Sequence, residues 1–154
     1  MATGAALAVG FLAPTTAYAS DEWHNLNHWN CDPDYFNSRW VDSVVVHDGR
    51  DRGLAELDIC WRGTLDVYVT GRVMDTVGDG RHAELRIRYQ VADRGGWSGW
   101  HYATVVSSVG GTTGKWVPDR NAGYGANQAT RYVQMAVCIY NVNTLIDCDD
   151  AGWQ

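Results

Sequence analysis

Lysine is almost absent from this 154-residue chain: Lys115 is the only one, and arginine carries nearly all the positive charge. Eighteen acidic residues against twelve basic give a formal net charge of -6. That balance argues against a nucleic-acid partner, which needs a basic patch to displace counterions from phosphates. No run of eighteen apolar residues occurs, so no membrane span is expected. No CxxC occurs, which argues against a zinc ribbon or a thioredoxin motif. HExxH, GxSxG and the EF-hand spacing are missing too, and with them the usual signatures of a zinc protease, a serine hydrolase and a calcium loop. Beyond residue 19 there is no long 3.6-residue periodicity, no internal repeat and no low-complexity linker.

Hydrophobic residues make up 45% of the chain, enough for a core, and the length favours one domain. Residues 1–19 carry no charge; Ala5 to Ala13 is apolar, and Ala17-Tyr18-Ala19 before Ser20 fits the small-x-small cleavage rule. This reads as a signal peptide without a basic n-region. The alternative is a buried apolar helix. The expected organisation is a signal peptide over 1–19, an extended N-terminal arm over 20–39 and a β-sandwich domain over 40–154, secreted to the extracellular space.

The body alternates with period two, the pattern of half-buried strands. Leu85, Ile87, Tyr89 and Val91 alternate with Glu84, Arg86, Arg88 and Gln90. Leu65, Val67 and Val69 alternate with polar neighbours, as do Ala55, Leu57, Ile59 and Trp61. Val133, Met135, Val137 and Ile139 alternate with Tyr132, Gln134, Ala136 and Cys138. Less regular strands are expected at Val41 to His47, His101 to Val109 and Leu145 to Cys148, with a short one around Trp116. Turn signals separate them: Asp48-Gly49, Arg62-Gly63, Gly78-Asp79-Gly80, Gly95-Gly96, Gly110-Gly111 and Asn121-Ala122-Gly123. Short strands with Gly-rich turns predict an all-β fold, a single-domain antiparallel β-sandwich.

Four cysteines in a short exported chain read as two disulfides with three possible connectivities. We favour Cys31–Cys60 and Cys138–Cys148. A tight turn near Asn143 would set residues 138 and 148 opposite each other, where a cross-strand bond is feasible. The first bridge would tie the arm to the body.

Candidate chemistry is sparse. His24 and His28 could share a metal on a helix, but the surrounding asparagines weaken that helix, and no metal or other cofactor is expected. His101 and Asp58 could converge with a serine such as Ser107 or Ser108, although a triad is recognised by geometry and not composition. Asp147, Asp149 and Asp150 around Cys148, and Asp32 and Asp34 around Pro33, offer carboxylates for a glycosidase, and the 147–150 cluster could also take calcium. A solvated acidic edge is the plainer reading. No catalytic residue is assigned.

Eight tryptophans carry more information. Trp61 follows the strand period and belongs to the core. Trp97 and Trp100 sit in the Gly-rich segment RGGWSGWHY. With Trp116 they are candidates to stack on sugar rings or to anchor an interface; capping one end of the core is the alternative. The stretch from Asp21 to Arg39 has one aliphatic side chain, Leu26, and many turn-favouring Asn and Asp residues. It cannot build a core alone, so it packs on the sandwich or waits for a partner. Asp21, Glu22, Trp23, His24 and Trp29 are the candidate partner-binding residues, suited to a basic or concave groove.

The AYA-S site, the arginine-over-lysine bias, the ELRIRYQ strand and the VCIYNVNTLIDC hairpin resemble small secreted proteins of actinobacteria. Within that group the chain is most similar to the small adaptor subunits of umbrella toxin particles. The resemblance implies a small β-protein that joins a repeat-containing toxin subunit to a lectin-like subunit in a complex used in interbacterial competition. It also implies no toxic activity in this chain, and docking by the extension from Asp21, Glu22 and Trp23 onward. The expected function is therefore a secreted, non-catalytic protein-binding adaptor. A carbohydrate-binding module, a secreted protease inhibitor and a small hydrolase are the alternatives.

Overall fold

The computed structural model describes residues 23–25, 37–62, 66–93, 95–118, 124–126 and 129–149. Those residues are all-β, with no helix. In chain order the strands are β1 (Trp23–Asn25), β2 (Asn37–His47), β3 (Arg50–Arg62), β4 (Asp66–Asp75), β5 (His82–Asp93), β6 (Gly96–Trp97), β7 (His101–Ser107), β8 (Trp116–Pro118), β9 (Tyr124–Ala126), β10 (Thr130–Asn141) and β11 (Thr144–Cys148). No helix among the described residues is long and apolar enough to cross a membrane.

The strands form two antiparallel sheets. The first runs β1-β9-β4-β3-β2, with β8 also on β4. The second runs β11-β10-β5-β6, with β7 also on β5. On β4, β9 pairs at Val67 to Val69 and β8 at Arg72 to Met74. On β5, β7 pairs at Glu84 to Tyr89 and β6 at Ala92 and Asp93.

The period-two pattern works as expected. Leu85, Ile87 and Tyr89 of β5 and Met135, Val137 and Ile139 of β10 are buried together with Val45, Leu57, Val69 and Val73 of the first sheet, in one apolar cluster. Each such side chain contributes about 1.5–3 kcal/mol by leaving water. Trp61 is partly buried and packs against this cluster. Two inward glycines let the sheets approach. A Cβ at Gly53 would stand 3.0 Å from Ala83 Cβ and 3.1 Å from Ile139 Cδ1. A Cβ at Gly71 would collide with Leu85 Cδ2 and stand 2.6 Å from the Glu56 carbonyl oxygen.

The hairpins follow their turn residues. Asp48 and Gly49 both take positive φ, 53° and 70°, which is what a two-residue turn between right-twisted strands requires. The turn after β10, with a bulge between Ile139 and Tyr140, sets Cys138 opposite Cys148, and the two form a disulfide. The acidic residues beside Cys148 are not idle. Ser43 Oγ donates to Asp149 Oδ2 at 2.7 Å, and His47 Nδ1 lies 2.8 Å from Asp147 Oδ2. Both contacts clasp β2 of the first sheet to the β11 end of the second.

Strand β2 starts at Asn37, inside the span assigned to the arm, because its pairing with β3 continues to Asn37↔Trp61. Trp23, His24 and Asn25 pair with β9 through Trp23↔Ala126, so this part of the arm is a sheet strand. The signal segment, Asp21, Glu22, His28, Trp29, Cys31, Asp32, Asp34, Leu65, the turn at 121–123 and Asp150 lie outside the described residues. Cys60 is fully buried.

Candidate functional site

The outward face of the second sheet gathers aromatic rings and guanidinium groups. Strand parity puts Arg86, Arg88 and Gln90 of β5 outward, opposite the buried Leu85, Ile87 and Tyr89. On the neighbouring strands Tyr102 pairs with Arg88, Trp97 with Ala92 and Arg131 with Gln90. Arg131 carries its guanidinium carbon 4.3 Å from the Trp97 ring centroid and 4.7 Å from that of Tyr132. Tyr132 meets Trp100 at 6.4 Å, tilted, and Arg88 lies 4.5 Å from the Trp100 centroid. The result is a continuous ladder, Trp97–Arg131–Tyr132–Trp100–Arg88, with Tyr102 beside its last member.

Hydrogen bonds fix the arginines in place. Arg88 Nε donates to Gln134 Oε1 and Arg131 Nε to Gln90 Oε1, each at 2.9 Å. Each cation–π contact at such an exposed site is worth about 0.5–1 kcal/mol. The WSGW loop is pinned by Ser98, whose N–H donates to the Val91 carbonyl at 2.9 Å while its Oγ accepts from Val91 N–H at 3.1 Å. The rings stay open to solvent: Trp97 is 37% exposed, Trp100 40%, Tyr102 50% and Tyr132 61%.

One residue of the ladder stands in a costly conformation. Between Arg131↔Gln90 and Gln134↔Arg88, two β10 residues oppose the single Tyr89, a β-bulge. Tyr132 occupies it with φ 53°, a left-handed geometry that usually falls to glycine. The bulge turns Val133 toward the core and leaves Arg131, Tyr132 and Gln134 together on the outer face. Tyr132→Gly should therefore leave the unfolding free energy unchanged or raise it by up to about 1 kcal/mol, because relief of strain offsets the lost ring. Chemical denaturation checks this. A loss larger than about 1 kcal/mol would mean that the ring serves the fold.

The face is cationic within an acidic chain. Arg86, Arg88 and Arg131 stand on it, with Glu84 the acid among the described outward side chains of β5, β7 and β10. Glu84 lies 3.4 Å from His82 and accepts from Thr104 Oγ1 at 3.2 Å.

Other candidates fall elsewhere. Trp116 does not join Trp97 and Trp100: β8 pairs with β4, and Arg72 stacks on the Trp116 ring at 4.5 Å on the first sheet. Asp58 and His101 are likewise apart. Asp58 is exposed on β3, whereas His101 stacks on Tyr89 at 5.5 Å in the second sheet. Ser108 is buried, its Oγ accepting from Ala83 N–H at 2.8 Å. Among the described residues no three His, Cys, Asp or Glu side chains converge as metal ligands; the side chains of His24 and His28 lie outside that set.

The outer surface of the first sheet holds a shallow groove of about 370 Å³. Trp40, Asp58 and Thr70 form one rung across β2, β3 and β4; Asp42, Glu56, Arg72 and Pro118 form the next. Arg72 Nε donates to Glu56 Oε2 at 2.5 Å. Partial burial, then the charge of Glu56, push the Asp58 carboxyl above its ordinary value.

The signal that could have revealed the arginine ladder lies in the outward parity of Arg86 and Arg88 beside a Trp-rich loop. No protein-family model, curated protein or solved structure matches the chain.

Proposed function

We propose that the chain is a secreted, non-catalytic protein-binding module, an adaptor that links subunits of an extracellular complex of the antibacterial toxin type. In this reading the two sheets close as one single-domain sandwich, and a second disulfide, Cys31–Cys60, secures the arm. The observation that carries the proposal is the exposed ladder of Trp97, Trp100, Tyr132, Arg88 and Arg131. Trp, Tyr and Arg are the residues that dominate binding energy at protein interfaces. Here they are held by one another and by Gln90 and Gln134, so little rotamer freedom is left to lose on association. Three arginines against one glutamate favour a partner whose matching patch is acidic.

The arm supplies a second contact in the adaptor reading. Asp21, Glu22, Trp23, His24 and Trp29 would engage one subunit while the ladder engages the other, so that one small domain bridges both. Stacking of sugar on Trp97 and Trp100 is the competing use of the same rings.

Size-exclusion and pull-down from culture supernatant test this, with the wild type and the Trp100→Ala and Arg131→Ala variants as baits. Each variant should fold and lose a partner that the wild type retains, with affinity lowered about thirtyfold or more, the mark of a hot spot. Deleting residues 21–30 should release a different subunit. Variants that keep every partner at unchanged affinity would remove the ladder from the proposal.

A further inference from the structure

The groove on the first sheet lies on the opposite side of the molecule from the ladder and has no part in the adaptor reading. It is small, lined by apolar and polar groups in comparable share, with the Trp40 and Pro118 rings among them. Trp40 is 57% exposed, far more than a ring retained for packing needs. It forms one wall, and its rung continues through the Asp58 carboxylate to the Thr70 hydroxyl. The far side is closed by Arg72, stacked on Trp116.

Charge decides what fits. Glu56 is paired with Arg72; Asp58 adds a carboxylate to the lining, and Asp42 stands exposed on the adjoining rung. A divalent cation needs more oxygen ligands than this. An anion would meet the carboxylates, and a bare metal cation would leave the exposed Trp40 ring without a partner. What remains is a neutral ligand whose groups both donate and accept, with a flat apolar face to lie on Trp40. Carboxylate and threonine oxygens accept from hydroxyls, the guanidinium donates to them, and an indole stacks on the C–H face of a sugar ring. The geometry points to a neutral oligosaccharide site built from Trp40, Asp58, Thr70 and Arg72, separate from the tryptophans of the other sheet.

Cellohexaose, maltohexaose and chitohexaose are the probes, titrated into the full chain while tryptophan indole N–H signals are followed by NMR. At least one should shift the Trp40 signal. Its dissociation constant should rise about tenfold or more in Trp40→Ala and in Asp58→Asn, each an exposed side chain whose loss spares the core. Trp40→Phe should recover part of the affinity, because the stacking face is kept. Trp100→Ala should change nothing, which separates this site from the adaptor face: loss of partner capture without loss of sugar binding is expected there. No shift with any probe at millimolar concentration, or binding that survives Trp40→Ala, overturns the assignment.

Discussion

Replacing Cys138 and Cys148 together by serine is expected to lower the unfolding free energy by about 3 kcal/mol. The bond closes a loop of sequence separation 10, and the chain-entropy model assigns about that much to so short a loop. The melting temperature should fall by roughly 10 °C for a domain of this size. The physical basis is more than the loop itself. Among the described residues, strand β11 is at the edge of its sheet, bonded to β10 alone. Asp147 and Asp149 reach β2 from this end of the chain. Once the cross-link is gone, nothing covalent holds the short strand against fraying, and the clasp to the other sheet weakens with it. Urea denaturation of the double variant at neutral pH gives the number. A loss below about 1 kcal/mol would show that β11 is secured by its hydrogen bonds and the clasp alone.

Gly71→Ala is expected to cost about 3 kcal/mol. Gly71 lies on β4 opposite Leu57, in the interior of the first sheet. An added methyl would collide with Leu85 of the other sheet, and that side chain could repack only within a filled core. It would also stand 2.6 Å from the Glu56 carbonyl oxygen, which is backbone and moves only if β3 moves. Gly99→Ala is the matched control: nothing lies within 4 Å of its Cβ position, so its effect should stay within about 0.5 kcal/mol. Equal stabilities for the two variants, measured by denaturant titration, would show that the sheets leave room for a methyl group at Gly71.

Much of the frame is legible in the sequence because it follows from alternation and from turn chemistry. Strand β5 reads directly: Leu85, Ile87, Tyr89 and Val91 are all buried, and the polar residues between them face outward. The spacing about Asn143 makes the Cys138–Cys148 bridge legible, but the register comes from two features: a two-residue turn at Val142 and Asn143, with exposed Val142 at left-handed φ, and a bulge between Ile139 and Tyr140 that shifts the pairing by one residue. Other features leave no such trace. Strands β1, β6 and β9 are three residues or fewer, too short for any period to show. The bulge at Tyr132 is unmarked, since tyrosine stands where glycine would have signalled the conformation. Hence Arg131, which simple alternation from Val133 would turn inward, joins the outer face.

The tryptophans divide in the same way. Trp97 and Trp100 share one short loop, so their neighbourhood is local and visible. Trp116 is sorted by topology: its strand pairs with β4 and not with β5, a choice between two sheets that no local pattern encodes. The stacking partners of the rings are non-local as well. Arg88 meets Trp100 through the pairing of β5 with β7, and Arg131 meets Trp97 because β10 and β6 both pair with β5.

Oxidative footprinting of tryptophan and tyrosine, with and without the bound partner, tests the contact surface most directly. Trp97, Trp100 and Tyr132 are expected to lose reactivity together on binding, while Trp40 on the opposite sheet oxidises as fast as before. Unchanged oxidation of the three ladder rings in a saturated complex would contradict the ladder as the contact surface.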